Sequence, residues 1–329
     1  ADRVGGHAAE TRTAGLTPNA IAVLREERER MRTARIERFR ADQRIGLLLH
    51  GLARDTDHLL QKLWKLADMP PDWALFAVGG YGRGELQPAS DVDLLLLAPE
   101  RLQSRETATS TSDVDAPAPQ ASTADSPSAS AHNDTPASAT ADTSTASPVP
   151  TLSDDTIACI ERFIGACWDI GLEIGHSVRT PAQCAQAAHE DITTMTALLE
   201  RRQLTGHRRA ARQLSEAMAG QLQLPLFLRD KLLEMRQRHQ KYEDTPYSLE
   251  PNCKESPGAL RDLQVVAWIS RAAGFGQAWV SLVRAGVIEP LEASQLQRYE
   301  RLLKRIRAWL HILSGRREDR LIFDLQPAV

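Results

Sequence analysis

Apolar positions along this chain change their spacing several times, and each spacing predicts a different element. Thr17-Pro18 supplies a helix cap followed by proline at the first helical position. It opens a long charged stretch, "AIAVLREERERMRTARIERFRADQRIGLLLHGLARDTDHLLQKLWKLA", read as one or two helices. Two short β-prone runs follow, "WALFAVGG" and "SDVDLLLLA". "DDTIACIERFIGACWDIGLEIGHSVRT" then predicts an amphipathic helix over 154–169 and a strand over 171–178. From Thr180 onward the pattern reads as helical throughout. Near its end Leu296, Tyr299, Leu303, Ile306, Leu310 and Leu313 form one stripe that stops at Gly315. No internal repeat is detected.

Two stretches lack any periodicity. Residues 1–16 are small and polar, and 104–153 collapse to Ser, Thr, Ala, Pro and Asp. Neither can bury enough apolar area to offset the entropy of ordering, so both are expected to be disordered. The second is read as an insertion, because the elements on its two sides look like parts of one sheet, and long loops cost little extra closure entropy. The expected organisation is a lead-in (1–16), N-terminal helices (17–70), a mixed α/β domain (71–180, carrying the insertion) and a helical domain (181–329).

Length and charge narrow the classes. A chain of 329 residues exceeds one ordinary core, and a net charge of −3 gives no chain-wide footprint for nucleic acid or an anionic membrane. The alternating Glu and Arg of "REERERMRTARIERFR" read as a solvated helix face rather than a basic patch. Four cysteines without CxxC pairing fit a reducing, cytoplasmic setting and small core positions. No apolar run approaches the roughly 18–20 residues of a membrane span.

Chemistry concentrates in "FAVGGYGRGELQPASDVDLLLL". Residues i and i+2 of a strand share a face, so Asp91 and Asp93 are expected to project together while Val92 turns to the opposite layer. Two like charges at an apolar strand are costly unless a cation sits between them, and Mg2+ (or Mn2+) with one or two carboxylates and phosphate oxygens meets that need. Gly79 and Gly80 lack Cβ atoms and let backbone N–H groups approach phosphate, with Arg83 and Ser90 as further contacts. A dinucleotide-binding GxGxxG reading fails, because no helix of the needed length separates these glycines from the next strand.

Strand, GG, a ten-residue gap and an apolar-flanked DxD together resemble the nucleotidyltransferase superfamily of the DNA polymerase β type. The wider run, with "GLEIGHSVRT", "YSLEPNCKESPGALRDLQ" and "RIRAWLHILSGRREDRLIFD", resembles the N-terminal half of the bacterial bifunctional uridylyltransferase/uridylyl-removing enzymes. The resemblance implies an α+β fold: a polymerase-β-type core of small mixed sheet and helices, followed by an all-α helical bundle. It implies transfer of UMP from UTP to a tyrosine of the PII nitrogen-signalling protein, with release of pyrophosphate. Adenylyl transfer to glutamine synthetase, or an idle nucleotide- or PII-binding module, are the alternatives. No His-Asp dyad or glutamine-sensing ACT-like region is found, so the uridylyl-removing phosphohydrolase is expected to lie outside this chain. Cys253 replaces a usual aliphatic residue, Ala259 replaces a usual second glycine, and the insertion is atypical.

On this reading Asp91 and Asp93 are catalytic metal ligands, and Glu173 is the candidate third carboxylate, with a solvated strand glutamate as the alternative. Lys254 and Arg261, near a Pro-Gly turn with Glu250 and Asp262, are nucleotide contacts or part of an interdomain salt-bridge knot. Arg179 shares the parity of Glu173 and is a phosphate candidate. His176, on the face of Ile174 and Val178, is read as a buried structural histidine.

Overall fold

The computed structural model describes residues 15–100 and 152–329, so nearly all of the 104–153 reading and most of the 1–16 reading fall outside the described residues. The long N-terminal pattern resolves into two helices, α1 (Pro18–Asp42) and α2 (Ile45–Leu66). Thr17 caps α1, accepting from the Ala20 N–H, and Gln43 ends it in the left-handed region. The pair folds back on itself, with Lys62 reaching Glu27 at 2.8 Å and Arg35 chelating Asp55 at 2.8 and 2.9 Å. Only Leu24, Ile36 and Phe39 of α1 are buried, so its Glu/Arg alternation is largely a solvated face.

The sheet contains β1 (Ala74–Ala77), β2 (Val92–Leu97), β3 (Ile174–Arg179) and β4 (Arg202–Gly206), in the order β3-β2-β1-β4. β1 is antiparallel to β2 and β4, while β2 and β3 run parallel. The crossover helix α4 (Asp154–Asp169) has the bounds its periodicity predicts, with Ser153 as cap. A one-turn helix, α3 (Gly79–Gly82), lies between β1 and β2.

β4 corrects the reading of everything after Thr180 as helical. Its one buried residue is Leu204, and its Arg202 is spent on Asp57 of α2 at 2.7 and 3.0 Å, so no apolar alternation marks it. Gly206 closes the pairing with φ +96°, where a Cβ would lie 2.3 Å from the Trp73 carbonyl oxygen.

Helices α5 (Pro181–Glu190), α6 (Ile192–Leu199), α7 (Ala210–Ala217), α8 (Leu224–Gln240) and α9 (Leu260–Ala272) cover one face of the sheet. There Ala74, Phe76, Leu95 and Leu97 pack with Met195, Leu214, Phe227 and Trp268. Cys167, Cys184 and Cys253 are buried, as expected of small core residues. Helix α10 (Trp279–Arg284) leads to α11 (Pro290–Ser314), which Gly315 ends at φ +68°. The predicted α11 stripe holds only in part. Leu310 is fully buried, whereas Tyr299 and Leu313 are exposed, because Ala293, Ala308 and His311 form the packed face instead. Among the described residues no helix is long and apolar enough to cross a membrane.

Candidate active site

Asp91 immediately precedes β2 and Asp93 is its second residue. Alternation sends Val92, Leu94 and Leu96 to one layer, and sets Asp93 on the face whose next members, Leu95 and Leu97, lie in the core under the helices. Asp93 therefore stands where that apolar column reaches the sheet end. Two missing Cβ atoms give it room: one at Gly79 would lie 3.5 Å from its Oδ2, and one at Gly175 only 2.8 Å from its Oδ1. Protein crowding at the groove floor and the neighbouring Asp91 charge push the Asp93 pKa up, while Lys254 and Arg317 oppose the shift. Asp91 accepts from the Arg317 guanidinium at 2.5 Å, in a pair about half exposed on both sides.

The glycine turn is a strand-to-helix switch rather than a plain turn. Gly79 adopts φ +55°, which favours glycine. Gly82 is needed for a different reason: a Cβ there would meet the Glu200 carbonyl oxygen at 2.1 Å. Between them Tyr81 is buried and donates to Asp57, which also holds Arg202, anchoring the turn to α2 and β4.

These residues line a cavity of about 370 Å³ between α3, α6, α9 and α11. Its wall carries seven lysines and arginines against six carboxylates. Arg83 gives its Nη1 to both oxygens of the buried Glu200, at 2.8 and 2.7 Å, and Glu200 also accepts from the Trp268 indole at 2.6 Å. The Trp268 ring lies 4.4 Å from the buried Lys231 ammonium and 5.4 Å from the Arg261 guanidinium. Lys254 pairs with Glu255 at 3.4 Å; burial and the nearby Arg261 and Arg307 charges lower its pKa. Arg261 binds Glu255 at 3.1 Å and Gln264 at 3.0 Å.

The structure thus brings Asp91, Asp93, Gly79, Gly80, Arg83, Ser90, Lys254 and Arg261 to one cavity. Ser90 makes a long 3.5 Å contact with Arg307. Glu173 lies just before β3, its carbonyl accepting from the Val92 N–H at 2.9 Å, and it shares a separate shallow groove with the two aspartates. Among the described residues no group of three metal-ligating side chains is gathered.

Other expectations are corrected. Arg179 pairs with Leu97 at the far end of the sheet, because parallel pairing sets the start of β3, not its end, beside Asp93. His176 is exposed rather than buried, since β3 is an edge strand. Glu250 leaves the expected cluster, accepting from the Phe323 N–H, whereas Asp262 stays at the Pro-Gly turn, accepting from the Gly258 N–H at 2.7 Å and from Arg238, which also pairs with the Glu255 that Lys254 and Arg261 bind. Ala259 has φ −84° and ψ −173°, extended backbone that needs no glycine, whereas the preceding Gly258 takes φ +77°.

The carboxyl-terminal motif holds residues to which the sequence assigned no role. His311 is fully buried; its Nδ1 accepts from the Ala89 N–H at 3.2 Å, so Nε2–H donates to Asp319 at 3.1 Å. Arg307 binds the same carboxylate at 2.5 Å. Although burial pushes the Asp319 pKa up, these partners hold it far below the usual carboxylate range. The Asp319 carbonyl also accepts from the Cys253 N–H at 2.8 Å, tying this clamp to the segment bearing Lys254. The signal available in the sequence was a histidine within an apolar helical run, "RAWLHILSG".

Residues 60–115 match the family described as nucleotidyltransferase domain, and residues 226–329 match that described as GlnD PII-uridylyltransferase. The chain is 44% identical over 315 residues to the bifunctional uridylyltransferase/uridylyl-removing enzyme of Cupriavidus pinatubonensis, covering 95% of this chain and 30% of that protein. The enzyme of the same description from Bordetella parapertussis is 44% identical over 306 residues, 93% of this chain and 30% of the relative. That of Burkholderia lata is 42% identical over 310 residues, with 94% and 30% covered. The chain spans about 30% of the length of these curated relatives.

Proposed function

We propose that this chain, a nucleotidyltransferase similar along its length to the N-terminal part of the bifunctional uridylyltransferase/uridylyl-removing enzymes, transfers UMP from UTP to a tyrosine of a PII signalling protein. The observation that carries the reading is the carboxylate pair Asp91/Asp93 at the head of β2, opening onto a cavity whose wall carries Lys254, Arg261 and five further cationic side chains among its carboxylates.

The donor set suits a hard divalent ion. Asp91 and Asp93 offer two neighbouring carboxylates whose mutual repulsion Lys254 and Arg317 offset only in part, so that burial and this repulsion leave the Asp93 pKa raised. Asp91 and Asp93 would hold a Mg2+ (or Mn2+), which would supply the charge to acidify the acceptor hydroxyl and to neutralise the triphosphate. The residues of the chain do the positioning. Lys254 and Arg261 draw the phosphates into the cavity, with the N–H groups of Gly79 and Gly80 at the first turn of α3. Glu200 holds Arg83 and Trp268 in fixed orientations, so that wall is organised before substrate arrives. In the reaction the phenolic oxygen forms a bond to the α-phosphorus, the bond to the bridging oxygen breaks, pyrophosphate leaves and the phenolic proton is released.

The test is incubation with radiolabelled UTP or ATP, Mg2+, and purified PII protein or glutamine synthetase. Label from UTP on PII is the expected result. Label on glutamine synthetase from ATP alone replaces it with adenylyl transfer, and nucleotide binding without pyrophosphate release replaces it with a sensor role.

A further inference from the structure

Asp91 and Asp93 line both the cation-walled cavity and a shallow groove bounded by Trp168, Gly171, Glu173 and Gly175, and they are the two residues common to both. Sheet order separates these spaces. Gly79, the first residue of α3 just past β1, flanks Asp93 on the cavity side, and Gly175 of β3 flanks it on the groove side.

Their linings differ in charge. The cavity wall holds seven lysines and arginines against six carboxylates, whereas the groove lining holds Glu173 and the shared Asp91 and Asp93, with Arg28 beside its Gly171 edge and no basic side chain in the lining itself. A triphosphate therefore finds its cationic contacts on the cavity wall and none on the groove lining. In-line displacement at phosphorus requires the attacking oxygen to come from the side opposite the leaving pyrophosphate. The groove is the second approach to the aspartates, and a neutral hydroxyl needs no cationic contact there.

A small acceptor would need no more than this, but the groove carries a docking feature as well. Trp168, in the last turn of α4, is 56% exposed while its neighbours Cys167 and Ile170 are fully buried, so its backbone is fixed and its ring is offered to solvent. A rigid exposed indole is a typical interface anchor. Beside it β3 is an edge strand, with Gly175 and His176 exposed.

We propose that the Trp168 groove seats the tyrosine-bearing segment of the acceptor protein, Trp168 packing against that segment as its phenol reaches the aspartate pair. The proposal rests on the transferase reading above and adds the surface that recognises the protein substrate.

Steady-state UMP transfer to purified PII protein by the full chain tests it, with Trp168→Ala and Trp168→Phe compared. Trp168→Ala is expected to raise KM for PII at least about tenfold while kcat and KM for UTP stay within about twofold, and Trp168→Phe to restore most of the loss. Thermal midpoints report folding, and Trp168→Gln provides a second truncation should the alanine variant melt low. An unchanged KM for PII in the truncated variants, or a rise in KM for UTP instead, overturns the proposal. No transfer to PII by the unsubstituted chain at any acceptor concentration overturns the transferase reading, and this surface with it.

Discussion

Two carboxylates of this protein sit in crowded surroundings and are treated in opposite ways. Asp319 is enclosed by α11 and the segment around Cys253, and receives Arg307 and His311. Asp93 stands at the sheet end beside another carboxylate, and the nearest guanidinium, Arg317, is bonded to Asp91 instead. One pKa is pulled down and the other pushed up. A carboxylate whose partners are built into the chain contributes to the fold, whereas one left in repulsion with its neighbour keeps its capacity for a charge from outside.

The comparison breaks most sharply by neutralising each in turn. Asp91→Asn or Asp93→Asn is expected to lower transfer by at least about 10³-fold, equivalent to about 4 kcal/mol of transition-state stabilisation. The same Asp93→Asn should leave the metal-free thermal midpoint unchanged or a few degrees higher, because a repulsion is removed. Calorimetry beside the transfer assay checks both, and a fold lost with activity would mean that the pair is structural.

Asp319→Asn should behave in the reverse sense. Removing one member of a buried charge network strands Arg307, at a cost of roughly 3 kcal/mol in chemical denaturation. Transfer should fall mainly as the Lys254 segment loosens.

The smallest effect concerns His311. Burial, aided by the charges of Arg307 and Arg317, lowers its pKa in the fold despite the hydrogen bond to Asp319. An unfolded histidine protonates near 6.5, so below about that pH the unfolded chain binds more protons and stability declines as pH falls. The depressed carboxyls of Asp319, Glu255 and Asp262 add a second loss below about pH 4. His311→Gln should flatten the slope of thermal midpoint between pH 7 and 5.5 while leaving the acid limb, and an unaltered slope would assign it to other groups.

The aspartate side of this comparison was legible because its rules are local. Period-two alternation put Asp91 and Asp93 together, the glycine pair marked the turn, and the α4 periodicity gave that helix its bounds. The clamp side was not: a histidine in an apolar run and an aspartate eight residues later carry no local sign of meeting. Edge strands were equally opaque. β4 has too few apolar residues to alternate, and the exposure of His176 follows from strand order, not from its neighbours in sequence.

What the sequence determined by itself was therefore the aspartate strand, the capped helices flanking it and the glycine turn, since each depends on residues within a few positions. Tertiary structure alone decided that Glu200, Trp268, Arg307 and Asp319 surround that strand, that Arg179 lies at the wrong end, and that a second groove opens beside Trp168. Those outcomes depend on strand order and on helices packed across one sheet face. Distances between residues more than a hundred positions apart are set by the burial of the whole core rather than by any stretch of chain.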